Sequence, residues 1–80
     1  MIRDKVVDCV RMVIPNAPID PDADLFSTGV IDSLNLMDVV DVLEQTFDVT
    51  FEPLDIKTDN FTTYRAIEDI INQKRVDMNS

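Results

Sequence analysis

TGVIDSLNLMDVVDVLEQTF, residues 28–47, passes within a few positions from turn-forming residues to a helical apolar repeat. Leu36, Val39, Val40, Leu43 and Phe47 recur at spacings of three and four, the period of a helix that buries one face. Leu34, Met37, Asp38, Asp41 and Glu44 fall mainly on the opposite side. Gly29, the sole glycine, stands just ahead, where a turn calls for positive φ. The helix is predicted to begin near Ser33. Asp32 and Ser33 both suit a helix start, because their oxygens accept hydrogen bonds from unpaired backbone N–H groups. A capping box adds Glu or Gln three residues later; Asn35 and Leu36 stand there instead, so none is expected.

Working outward, Ile2, Val6, Cys9, Val10 and Val13 repeat at the same spacing, which predicts a first amphipathic helix. Pro15 and Pro18 end it by removing backbone donors and restricting the residues before them. Residues 15–32 then hold no sustained period. A loop this long is usually functional or disordered; Ile19, Leu25 and Phe26 are its expected anchors over the core. Downstream, VTF (residues 49–51) has the look of a strand but finds no partner, and a short helical turn is predicted around residues 53–57. The last helix is predicted to follow Thr62 as N-cap and to bury Ala66, Ile67, Ile70 and Ile71, with residues 76–80 as a frayed tail. The expected fold is all-α: a small four-helix bundle, three main helices plus one short one, with a long loop between the first two. One domain spans residues 1–80.

Eighty residues bury only about 60% of their unfolded surface by size scaling. With 45% hydrophobic residues the chain is expected to fold without metals or disulfides. Sixteen acidic against seven basic residues give a formal net charge of −9, which repels nucleic acid and favours basic patches on proteins. No run approaches the roughly 20 apolar residues of a membrane span, and residues 1–10 lack the apolar core of a signal peptide. A soluble, cytoplasmic monomer is expected, without membrane insertion.

Three local features invite chemistry of their own. Asp20, Asp22 and Asp24 match the first ligand positions of an EF-hand calcium loop, but Leu25 stands where the turn needs glycine and Ile31 where a bidentate Glu is required. No metal site is expected. Cys9 lies on the apolar stripe without a His or basic cluster to activate it, and reads as a buried structural thiol. Leu34 and Met37, set among Asp38, Asp41 and Glu44, read either as a solvated face with two stray apolar residues or as an apolar patch rimmed by charge, as docking surfaces are.

GVIDSL opening an amphipathic helix, DLFSTGVIDS leading into it, VVDVLEQTFDV after it and NFTTYRAIEDII near the end together resemble the acyl and peptidyl carrier protein family over nearly the whole chain. The family's attachment motif Asp-Ser-Leu corresponds to Asp32, Ser33 and Leu34. The resemblance implies that a phosphopantetheinyl transferase places the 4′-phosphopantetheine of coenzyme A on Ser33. The arm's thiol would then carry an acyl or aminoacyl group as a thioester between a loading enzyme and downstream synthases or transferases. It implies no catalysis by the chain itself. It also implies that Asp32, Leu34, Met37, Asp38, Asp41, Glu44 and Ile56 form the surface that meets basic patches on partner enzymes. Two residues, Val30 and Ile31, separate Gly29 from Asp32, and Asn35, Gln45 and Thr46 stand where fatty-acid carriers are acidic or polar-charged. These departures resemble stand-alone D-alanyl carriers and carriers of secondary metabolism more than those of housekeeping fatty-acid synthesis. The competing reading is a non-catalytic acidic helical adaptor with Ser33 left bare.

Overall fold

The two strongest apolar repeats each form a helix. In the computed structural model, which describes residues 2–79 with side chains over 2–75, α1 is Ile2–Val13 and α2 is Leu36–Phe47. Val6, Cys9 and Val10 of α1 and Val39, Val40 and Leu43 of α2 are buried, while Ile2, Val13, Leu36 and Phe47 at the stripe ends are only partly covered. After a 3₁₀ turn, Pro53–Asp55, come the single-turn α3, Thr58–Phe61, and α4, Tyr64–Asn79. The fold is the small helical bundle expected, with no strand among the described residues. α1 packs against α2 and α4, and α3 against α4. Of the tail expected to fray at 76–80, residues 76–79 belong to α4 and Ser80 lies outside the described residues.

Several boundaries differ from the reading of the sequence, each for a local reason. α2 begins at Leu36 rather than near Ser33, because residues 32–35 form a turn closed by side chains. The cap of α4 is Thr63, whose Oγ1 accepts from Ala66 N at 3.0 Å. Thr62 instead donates its hydroxyl to the Thr58 carbonyl at 2.6 Å. The short helix lies at 58–61, while the predicted turn at 53–57 is the 3₁₀ segment. α2 ends where Asp48 takes φ 54°, a left-handed conformation that Asp tolerates better than most side chains.

The long loop is stitched to the start of α4 by hydrogen bonds. Leu25 N donates to the Thr62 carbonyl at 2.7 Å and Arg65 N to the Pro21 carbonyl at 3.3 Å. The buried Tyr64 hydroxyl donates to the Pro18 carbonyl, and Arg65 pairs with Asp22 at 2.8 Å. Leu25, Ala17 and Ile31 are the buried anchors, with Phe26 partly covered. Ile19 is not one of them: its side chain is 70% exposed. Gly29 adopts φ 78° with open space where a Cβ would lie, so conformation rather than crowding favours glycine there.

Three carboxylates that fasten these segments are held below the usual Asp range. Arg65 lowers Asp22, the Ser27 backbone and hydroxyl lower Asp24, and Lys74 lowers Asp55. A depressed folded pKa contributes stability that is present above the unperturbed value of 3.8 and is lost as pH falls through the folded value. Measured at a salt concentration that screens the net charge, the urea midpoint should therefore fall as pH drops below about 3.8. Asp24→Asn should reduce that slope. An unchanged slope in the variant would mean that Asp24 does not couple folding to protonation.

Candidate functional site

The turn ahead of α2 solves a problem that every helix start poses, the satisfaction of its first N–H groups. Asp32 does it: its Oδ1 accepts from Leu34 N at 2.8 Å and Asn35 N at 2.9 Å. Asn35 answers in kind, its Oδ1 accepting from Asp32 N at 2.7 Å while its Nδ2 donates to the Val30 carbonyl at 3.0 Å. The two residues exchange bonds in the manner of a capping box, but within the turn ahead of α2; the N-cap of the helix itself, Asn35, makes no side-chain cap bond, in keeping with the absence expected from sequence. The shorter carboxamide reaches because the turn is tight, with Leu36 N already bonded to the Asp32 carbonyl at 2.9 Å.

Ser33 sits between the two members of this pair. Its side chain is exposed, and none of the hydrogen bonds among the described residues uses its hydroxyl. Ordinarily a serine at a helix start caps it; here Asp32 has taken that work. What remains is an open hydroxyl at the positive end of a helix dipole, an arrangement that suits esterification to an anionic phosphate. No hydrogen bond among the described residues joins this hydroxyl to a base.

The other residues singled out from sequence divide into two groups. Leu34 is 85% exposed and Met37 48% exposed, and with exposed Asp38 and Asp41 they follow Ser33 along one side of α2 at spacings of three and four. Glu44 is only partly exposed, and its Oε2 accepts from Phe51 N at 2.9 Å. That carboxylate braces the 48–52 connection. Ile56 is half-buried and packs against the core. Sequence reasoning missed Leu54, 88% exposed on the 3₁₀ turn; a residue in a single turn carries no periodicity to reveal which way it faces.

The rival sites take structural roles. Asp20 Oδ1 accepts from Asp22 N, Asp22 pairs with Arg65, and Asp24 accepts from Phe26 N, Ser27 N and the Ser27 hydroxyl. Their oxygens are spent on loop closure instead of converging on a cation. Cys9 is buried between helices, and burial pushes its thiol up, away from the thiolate a nucleophile needs.

Compared with protein families, residues 4–71 match the family model described as the phosphopantetheine attachment site. The match runs from the first turn of α1 to the middle of α4. A comparison with curated proteins gives no match.

Proposed function

This chain belongs to the phosphopantetheine attachment-site family, whose members hold 4′-phosphopantetheine covalently on a serine, and from that premise we propose that the serine here is Ser33. The observation that carries the reading is the state of its hydroxyl: exposed, unbonded, and set in a turn whose backbone groups are satisfied by Asp32 and Asn35. Ser33 contributes an oxygen that attacks the phosphorus of coenzyme A, and the adenosine bisphosphate half departs as the P–O bond breaks. The proton passes to the phosphopantetheinyl transferase, because among the described residues the Asp32 carboxylate is bonded to Leu34 N and Asn35 N and no base is bonded to the Ser33 hydroxyl. Asp32 and Asn35 hold the turn; they transfer nothing. Once attached, the arm supplies a thiol that carries an acyl or aminoacyl group as a thioester.

The chain then acts as a carrier rather than a catalyst, keeping its cargo at high effective concentration near successive active sites. Intact-mass measurement with a broad-specificity transferase and coenzyme A tests the assignment. The native protein should gain one phosphopantetheine mass and Ser33→Ala none.

Leu34, Met37, Asp38 and Asp41, beside Asp32, supply the face for basic patches on the transferase, on loading enzymes and on downstream synthases. Glu44 and Ile56 lie at its edge. Charge on both partners steers their encounter. The second-order rate of modification should therefore fall roughly tenfold between low and high salt, and Asp38→Asn with Asp41→Asn should flatten that dependence. Rates indifferent to salt in the native protein would remove steering from the account.

A further inference from the structure

Two polar backbone groups precede Ser33 and two follow it, and one pair of side chains engages all four. Leu34 N and Asn35 N go to the Asp32 carboxylate, while Asp32 N and the Val30 carbonyl go to the Asn35 carboxamide. The carboxamide's orientation is fixed by its partners: a backbone N–H can only donate and a carbonyl can only accept. No other arrangement of oxygen and nitrogen at position 35 makes both bonds. Of the two roles, the second bears on the serine. Val30 lies three residues before Ser33, and a serine hydroxyl readily donates back to a carbonyl at that separation. Asn35 Nδ2, bonded to that oxygen at 3.0 Å, takes one of its two lone pairs and competes with the hydroxyl as a donor.

Resting on the assignment of Ser33 as the modified residue, we infer that Asn35 is a positioning residue for the modification: by bonding Asp32 N and the Val30 carbonyl, its carboxamide holds the turn that presents the Ser33 hydroxyl and competes with that hydroxyl for the carbonyl. It touches neither coenzyme A nor the phosphorus. Its effect therefore belongs to the chemical step and not to docking, which uses Leu34, Met37, Asp38 and Asp41.

The test is steady-state kinetics of the transferase with native, Asn35→Ala, Asn35→Asp, Asn35→Gln and Met37→Ala proteins, beside hydrogen exchange at the Asp32 amide. Asn35→Ala should lower kcat by about tenfold or more with KM nearly unchanged, since small misplacements of a reacting group are costly. The Asp32 amide should lose its protection in the same variant. Asn35→Gln, which offers the same oxygen and nitrogen, should recover most of kcat. Asn35→Asp keeps an acceptor for Asp32 N but opposes the Val30 carbonyl with another acceptor, so it should stay slow. Met37→Ala should move KM instead. Should Asn35→Ala lose its helical circular dichroism, Asn35→Asp alone decides, and a native kcat there overturns the inference. A native kcat in folded Asn35→Ala, or a rise confined to KM, overturns it equally. These outcomes are separable from failure of the Ser33 assignment, which would appear as mass gain on Ser33→Ala.

Discussion

Ser33→Ala is expected to abolish attachment of the arm while leaving the fold as it was. Both halves follow from the same geometry. The hydroxyl makes none of the hydrogen bonds that start α2, which are supplied by Asp32 and Asn35. Alanine at this exposed position should shift stability by no more than about 0.5 kcal/mol. Chemistry, by contrast, loses its only acceptor in the turn. The neighbouring hydroxyls cannot stand in: Ser27 donates to Asp24 Oδ2 at 2.7 Å and Thr28 to the Asp24 carbonyl at 2.9 Å. Both belong to the loop's own closure, and neither stands at the start of a helix of more than one turn. The mass gain should thus be absent, with no thioester formed by any loading enzyme, and the thermal midpoint should match the native protein. A variant that still gains the mass would move the attachment elsewhere. One that is unmodified because it is unfolded would show that the hydroxyl had a structural use after all.

How much of this was legible in the residues depended on what kind of signal each feature leaves. The stripes of α1, α2 and α4 repeat over several turns, so Val6, Cys9, Val10, Val39, Val40, Leu43, Ile67, Ile70 and Ile71 could be placed in the core from spacing alone. The 53–61 segment breaks into two single turns, too short for a period to show, and neither the second turn nor the exposure of Leu54 is legible there. Loop anchors leave still less trace. Ile19 is as apolar as Leu25, yet one is exposed and the other fully buried, because hydrogen bonds from the loop to Thr62 and Arg65 decide which residues face inward. The attachment motif itself stood out through its flanks, whereas its support did not. Asn35 differs from the usual capping residue by a methylene or a charge, and only the tightness of the turn lets it bond Asp32 N and the Val30 carbonyl together.

The largest loss of stability should come from Phe61→Ala. α3 has four residues and contributes Phe61 as its only buried side chain. A helix of one turn has no stability of its own in water, so it persists because that ring is held. The ring is fully buried and meets Phe51 edge-on, with centroids 5.6 Å apart and planes at 69°. Truncation removes the ring's transfer energy and leaves a cavity, together about 3–5 kcal/mol. A domain of this length is stable by about 4–12 kcal/mol in all, so the substitution takes away a large part of the total. The damage also spreads along the chain. The Thr62 carbonyl next to Phe61 receives Leu25 N, and Leu25 is a buried anchor of the loop that leads to Ser33. Urea denaturation checks the magnitude, with Leu54→Ala as the control on the neighbouring turn. That side chain is 88% exposed, and its loss should cost less than about 0.5 kcal/mol. If the two variants unfold at similar urea concentrations, Phe61 does not hold α3 to the bundle. If Phe61→Ala alone is strongly weakened yet still accepts the arm at the native rate under folding conditions, the α3 anchor serves stability only. The Ser33 turn then stands on its own Asp32–Asn35 bonds.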